Sequence, residues 1–213
     1  MDARRFITFE GGEGAGKSTQ VGLLRARLAE LGHEVVVTRE PGGAPFAERI
    51  RKALLTPSDS APSALAEALA FYAARAEHLS ATIRPALQRG AVVVCDRFND
   101  STRAYQGAAG GVAANVLDTL DRIVVGDTGP ALTFILDLAP KVGLQRADDR
   151  RAADVADMFE GRELAFHERL REAYRALAEA EPDRCRLIAA DRAPDAIADD
   201  IWALVSAHLD IAK

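Results

Sequence analysis

Apolar residues in this chain fall into short continuous runs separated by longer stretches with helical spacing. Phe6-Ile7-Thr8-Phe9, Val35-Val36-Val37, Ala91-Val92-Val93-Val94-Cys95 and Leu132-Thr133-Phe134-Ile135-Leu136 have strand length, and Arg186-Leu187-Ile188-Ala189 is a weaker fifth run. Near-continuous apolarity is the pattern of parallel strands covered on both faces. Residues 18–31, 46–54, 63–87 and 112–124 lie between the runs and carry helical content. The repeated strand–helix order predicts an α/β fold with a parallel sheet and right-handed crossovers. Near the C-terminus, Phe166, Leu170, Tyr174 and Leu177 recur at helical spacing with charges opposite, predicting one long helix. Residues 146–157 are highly charged and lack apolar periodicity, and are expected to form a mobile surface segment. With no internal repeat and no low-complexity linker, residues 1–213 are expected to form a single domain.

Composition narrows the partners. A chain of 213 residues can bury a sizeable core, and 48% hydrophobic with 6% aromatic residues is ordinary for a soluble protein. A formal net charge of -5 argues against a nucleic acid polymer, which needs a basic face. It leaves room for a small anion, for which a few placed cations and backbone N–H groups suffice. Cys95 and Cys185 are not in a metal-ligand spacing, and Cys95, inside an apolar run, is expected to be a buried reduced thiol. No apolar stretch is long enough to span a membrane and no signal peptide precedes the first strand, so the expected location is the cytoplasm.

The strongest motif is Gly11-Gly12-Glu13-Gly14-Ala15-Gly16-Lys17-Ser18, which matches G-x-x-x-x-G-K-[ST] between a strand and a helix. Glycines let the backbone curl so that its N–H groups face phosphate oxygens, and the following helix N-terminus adds its dipole. Lys17 is expected on the β- and γ-phosphates and the Ser18 hydroxyl on Mg²⁺. This establishes binding of a nucleoside triphosphate, not the chemistry. Two further strands end in charge. Asp96-Arg97 closes the third run, where Asp96 suits Mg²⁺ or its waters and Arg97 suits a bidentate phosphate contact. Thr38-Arg39-Glu40-Pro41-Gly42-Gly43 follows the second run, its turn presenting Arg39 and Glu40 at the same sheet edge. Ser18, Glu40 and Asp96 are the expected metal set.

Together with Phe71-Tyr72-Ala73-Ala74-Arg75 and the stretch Asp96 through Gly107, these motifs resemble the thymidylate kinase family in order and spacing over nearly the whole chain. The resemblance implies a P-loop nucleoside monophosphate kinase fold with a five-stranded parallel sheet and a lid at about residues 146–158. It implies transfer of the γ-phosphoryl group of MgATP to thymidine 5'-monophosphate, and a homodimer. ATP would be held by residues 11–18 (Ala15 and Gly16 included), Thr19 and Arg146, the last ending its helix and packing on adenine. Phe71 would stack on thymine, Arg75 would donate to a base carbonyl, and Thr102 and Gln106 would line the base pocket. Arg39 and Arg97 would hold the acceptor phosphate, Glu13 would accept from the 3'-hydroxyl, and Tyr105 would crowd the 2' position. Some family members carry arginine where this chain has Gly14, and here Arg150 or Arg151 in the lid is expected to act with Lys17 and Arg97 on the transferring group. The chain departs from its relatives at Met158, where arginine is usual, and in the small-residue stretch 152–156.

Two rivals follow from the P-loop alone: a kinase for another small acceptor, and a nucleotide-state switch. The second would favour a guanine-reading Asn-Lys-x-Asp motif, which the sequence does not contain.

Overall fold

The computed structural model describes residues 2–56, 62–150 and 163–211. Along them run β1 (Phe6–Gly11), α1 (Lys17–Glu30), β2 (Val35–Arg39), α2 (Pro45–Leu55), α3 (Ala64–His78), α4 (Arg84–Gln88), β3 (Val92–Asp96), α5 (Asn99–Thr102), α6 (Ala114–Val124), β4 (Leu132–Asp137), α7 (Pro140–Arg150), α8 (Leu164–Ala180), β5 (Cys185–Ala189) and α9 (Pro194–His208). A π-helical turn at Leu79–Ile83 joins α3 to α4, and a second at Arg103–Ala108 continues α5.

The five strands form one parallel sheet in the order β2-β3-β1-β4-β5. From β1 the chain crosses to the outer strand β2, returns to β3, and then passes to β4 on the far side of β1. The reversal opens a crevice at the carboxyl ends of β1 and β3, where ligands bind in open α/β sheets. Register brings the ends together: Phe9 pairs with Asp96, Arg39 pairs with Asp96 from the other side, and Gly11 pairs with Leu136. The loops after β1, β2 and β3 therefore meet over one edge.

Alternation along the strands sorts the core. Ile7, Phe9, Val92, Val94, Phe134 and Leu136 face α1 and α9, while Phe6, Val93 and Cys95 face the helical stretch 79–88. Ile135 packs on Phe166, Leu170 and Tyr174 of α8. The second face also carries buried polar residues: Thr8 and Thr133 share a hydroxyl hydrogen bond at 2.8 Å, and Glu10 is fully buried.

The helix α9 is not among the elements expected from the sequence. Pro194 opens it, and Ile197, Ile201 and Val205 recur at helical spacing on its buried face. Burying each such side chain is worth about 1.5–3 kcal/mol, enough to make this helix a structural part of the sheet's cover. A second correction concerns α7. Arg146 does not end it; the helix runs to Arg150, and Ala147 is buried rather than part of a solvated segment. Leu144 and Ala147, three residues apart, lie on one helical face, which continues the helix across the charged stretch. The rest of the expected lid, including Arg151, 152–156 and Met158, lies outside the described residues. Among those described, no helix is long and apolar enough to cross a membrane, and Cys95 and Cys185 are both buried free thiols.

Candidate active site

A cleft of about 320 Å³ opens over the carboxyl ends of β1, β2 and β3. Its wall contains Glu13, Gly14, Ala15, Gly16, Lys17, Ser18 and Thr19 from the P-loop and α1, and Arg39 and Glu40 after β2. Phe71 and Arg75 come from α3, and Asp96, Arg97, Thr102, Tyr105 and Gln106 from the stretch after β3. The overall charge is acidic, yet this wall holds five basic side chains (Lys17, Arg39, Arg51, Arg75, Arg97) against three carboxylates (Glu13, Glu40, Asp96). Anion affinity here is a matter of placement, not net charge.

At one end, α1 starts at Lys17 with Gly16 as its cap, at φ 93 and with no side-chain cap. The N–H groups of its first turn are thus left for a ligand. The Lys17 ammonium curls back to donate to the carbonyls of Gly11 at 3.1 Å and Gly12 at 2.9 Å. Burial, reinforced by the charge of Arg97, lowers its pKa. The Ser18 hydroxyl donates to Asp96 Oδ2 at 2.8 Å, joining the two groups expected at a metal. Gly11 and Gly12 support the loop from outside the main cleft, next to a small pocket shared with His167 and Arg171.

The middle is organised around Arg97. Its backbone is left-handed, at φ 69, a conformation costing about 1–2 kcal/mol for a residue with a side chain. The turn aims the guanidinium back over β1. There it donates to Gly11 O at 3.0 Å, to Tyr174 and Ser101 at 3.3 Å each, and to Glu13 Oε1 at 2.7 Å. Tyr105 donates to the same Glu13 oxygen at 2.8 Å. Burial alone raises the Glu13 pKa, but the charges of Arg97 and Lys17 overcome it and hold the carboxyl down to about 2. Beneath them lies Glu10, which accepts from the Phe98 N–H at 2.8 Å, the Ser101 hydroxyl at 2.6 Å and the Tyr174 hydroxyl at 3.0 Å. Burial and the nearby Asp100 carboxylate push Glu10 up to about 7. Arg39 is half-exposed and paired with Glu48. Arg51 donates to Pro41 O at 2.8 Å.

The far end of the cleft is built on buried polar residues. Arg75 is 1% exposed, with Nε donating to Glu40 Oε2 at 2.8 Å and Nη2 to Thr102 Oγ1 at 3.0 Å. Its guanidinium carbon lies 4.7 Å from the Tyr72 ring centroid and 5.1 Å from that of Phe98. The remaining nitrogen, Nη1, is buried without a hydrogen-bond partner among the described residues. A buried orphan donor costs about 1–3 kcal/mol, so Nη1 is the Arg75 nitrogen with hydrogen-bonding capacity left over among the described residues. Gln106 donates to Glu67 at 3.1 Å, and Phe71 is half-buried on the wall. Glu40, expected in the metal set, has both carboxylate oxygens engaged by side chains. One oxygen accepts from Arg75 and the other from His78 Nδ1 at 3.0 Å, so its carboxylate anchors Arg75.

Arg146 is not on the cleft wall; its Nη1 donates to Ala190 O at 3.3 Å, tying α7 to the loop after β5. The P-loop and α7 touch backbone to backbone: a Cβ on Gly14 would stand 2.0 Å from Gly143 O, and one on Gly143 would stand 2.2 Å from Glu13 O. Sequence spacing carries no signal for Gly143, Glu10 or Glu67. Each is an ordinary residue in its own element, and only the fold brings it to the site. Arg51 had a faint signal, since a helix following the Pro-Gly-Gly turn starts at the same sheet edge.

The sequence profile of the thymidylate kinase family matches residues 9–201. A thymidylate kinase of Caulobacter vibrioides is 53% identical over 206 residues, covering 97% of this chain and 98% of its own. One from Rhodopseudomonas palustris is 52% identical over 206 residues, covering 96% and 90%. The crystal structure of thymidylate kinase from Ehrlichia chaffeensis superposes with a TM-score of 0.76 at 33% identity, covering 94% of this chain and 97% of that one. One cleft over the P-loop edge of the sheet thus accompanies similarity along nearly the whole length, and the chain belongs to the thymidylate kinase family.

Proposed function

We propose that the cleft binds ATP and thymidine 5'-monophosphate end to end and transfers the γ-phosphoryl group in line to the acceptor phosphate, giving ADP and thymidine diphosphate. The observation that carries this reading is the buried, unpartnered Nη1 of Arg75 in the same cleft as an uncapped P-loop helix. One end suits polyphosphate, and the other wants a carbonyl on a flat, enclosed ring.

In this reading Phe71 stacks on the base, Arg75 Nη1 donates to its carbonyl, and Thr102 and Gln106 close the pocket. Arg97, fixed by its left-handed turn, and Arg39, after release from Glu48, hold the 5'-phosphate. Tyr105 and Glu13 lie on the sugar side, with Tyr105 placed to exclude a 2'-hydroxyl. The acceptor phosphate is already anionic near neutral pH, so the residues supply position and charge rather than a general base. Lys17 shifts from its own loop carbonyls to the β- and γ-phosphates. Ser18 and Asp96, already hydrogen-bonded, are the pair that would hold Mg²⁺, a hard ion content with one or two protein oxygens plus phosphates. When bound, that ion neutralises charge on the β- and γ-phosphates. Residues 11–16 and Thr19 frame the phosphates, and Arg146, on α7 with its guanidinium at the loop after β5, packs on adenine. Arg150 or Arg151 supplies the last cation from the lid.

The assay is ADP release with and without thymidine monophosphate. Acceptor-dependent ADP release supports the reading, and equal release without acceptor overturns it. We further assign the protein to the cytoplasm as a homodimer through exposed Leu65 and Leu69 on α3 and Val116 and Ile123 on α6. A sedimentation mass of a single chain at micromolar concentration would exclude the dimer.

A further inference from the structure

Behind the base end of the cleft, against Gln106, lies a carboxylate that the reaction above does not use. Glu67 lies on α3 one turn before Phe71 and is 2% exposed. Its Oε2 accepts from Gln106 Nε2 at 3.1 Å, and Gln106, also 2% exposed, lines the cleft. We propose that Glu67 is a positioning residue for base selection: by holding the amide nitrogen of Gln106, it fixes which end of that amide the base meets.

A carboxamide is nearly symmetric in shape but not in chemistry. Its nitrogen donates, its oxygen accepts, and half a turn about the last bond exchanges them with little steric change. A carboxylate only accepts. With the amide turned over, its oxygen would face a carboxylate oxygen in a buried setting, where an unpaired polar contact is most costly. Glu67 therefore commits Nε2 to itself. Gln106 Oε1, with no hydrogen bond among the described residues, is left as an acceptor.

Arg75 supplies the other half. Its Nη1 can only donate and is unpartnered, and the guanidinium is fixed by Glu40 and Thr102. Thr102 and Gln106 are four residues apart on one helical stretch, so Arg75 and Gln106 meet the ligand on the same wall. This wall offers a donor beside an acceptor. A 2,4-dioxopyrimidine presents a carbonyl beside a ring N–H and satisfies both. A 4-aminopyrimidine presents an amine beside an unprotonated ring nitrogen, setting donor against donor and acceptor against acceptor.

The inference rests on the acceptor reading above, and the test separates the two. The kcat/KM ratio for thymidine monophosphate over deoxycytidine monophosphate is measured for the parent, for Glu67→Gln, and for Glu67→Gln combined with Gln106→Glu. In Glu67→Gln the side chain at 67 can donate as well as accept, so Gln106 is free to turn, and the ratio should narrow about tenfold or more. The double variant restores an obligate acceptor at 106 and should recover most of the ratio. General damage would lower both substrates together and leave the ratio alone. If Glu67→Gln melts below the assay temperature, Glu67→Asp, whose carboxylate is one methylene short of Gln106 Nε2, takes its place in the single-variant comparison alone, with a narrowed ratio expected and an unchanged ratio overturning the role of Glu67. An unchanged ratio in the folded single variant, or no recovery in the double, overturns the role of Glu67 and leaves the acceptor reading standing. A parent that does not phosphorylate thymidine monophosphate overturns the acceptor reading itself.

Discussion

Placing a methyl group between the P-loop and α7 is the most direct probe of how tightly the two are joined. A Cβ on Gly14 would lie 2.0 Å from Gly143 O, 2.7 Å from its carbonyl carbon and 2.9 Å from its Cα, all backbone atoms that no rotamer change can move. Reaching an ordinary carbon–oxygen contact of about 3.4 Å requires the two backbones to separate by roughly 1.4 Å. Gly14 also sits at φ +66, where a side chain costs about 1–2 kcal/mol. Adding about 1–3 kcal/mol for overpacking, Gly14→Ala should destabilise by about 2–5 kcal/mol. Gly143→Ala separates clash from backbone strain. Its Cβ would stand 2.2 Å from Glu13 O, but its helical backbone accepts alanine and gains up to about 1 kcal/mol in propensity. It should be less unstable than Gly14→Ala yet open the same gap. A misplacement of about 1 Å in a phosphate cradle costs on the order of a hundredfold in rate, so kcat should fall by about that factor in both variants. Gly22→Ala on α1 is the control. Nothing lies within 4 Å of its Cβ, so it should stabilise by about 0.5–1 kcal/mol and leave kcat alone. Urea unfolding and the coupled ADP assay read the two quantities. If Gly143→Ala folds and turns over like the parent, the P-loop and α7 are not rigidly joined, and the reasoning fails. The same contact leaves no room for a side chain at position 14.

Lys17→Met should lower kcat by about a hundredfold or more while the protein stays folded, because its ammonium acts on developing phosphoryl charge; near-normal turnover would remove Lys17 from that role. For the lid, Arg150→Ala, Arg151→Ala and their combination should depress kcat with acceptor affinity by calorimetry nearly intact, and a fully active double variant would place the cation outside this stretch. Glu13 gives a pH signature. Its folded pKa of about 2 lies below the ordinary 4.5, so its stabilisation is complete above about pH 4.5 and is lost as pH falls toward 2. The stability difference between parent and Glu13→Gln should therefore shrink over that window in urea titrations, and a difference that stays flat would refute the assigned pairing. Tyr105→Ala should narrow the preference for thymidine monophosphate over its ribose counterpart, and an unchanged kcat/KM ratio would make Tyr105 packing alone.

The sheet was legible because a parallel strand covered on both faces has to be apolar throughout, so Val92 to Cys95 and Leu132 to Leu136 announce themselves without any knowledge of neighbours. The P-loop was legible for a similar reason: its eight residues are contiguous and its backbone geometry is local. Even Asp96 and Arg97 follow, since the end of a buried strand in such a sheet is the ligand edge. The helix 194–208 carries its own local signal, with Pro194 at its start and Ile197, Ile201 and Val205 at helical spacing. Glu40 is different. The sequence shows a carboxylate at the sheet edge, which suits a metal as well as an arginine. Only the passage of α3 beside β2 puts Arg75 and His78 on its two oxygens. Glu10 and Glu67 are of the same kind, buried charges whose partners lie 91 and 39 residues away. Gly143 is a helix glycine with nothing in its neighbourhood to say that another backbone rests on it. The sequence by itself determined the elements, the phosphate cradle and the family, because periodicity and contiguous motifs record local physics. Which carboxylate meets which arginine, and which nitrogen of Arg75 is left over, was decided only by tertiary structure, because a charge's role depends on the groups that long-range chain crossings bring within about 3 Å.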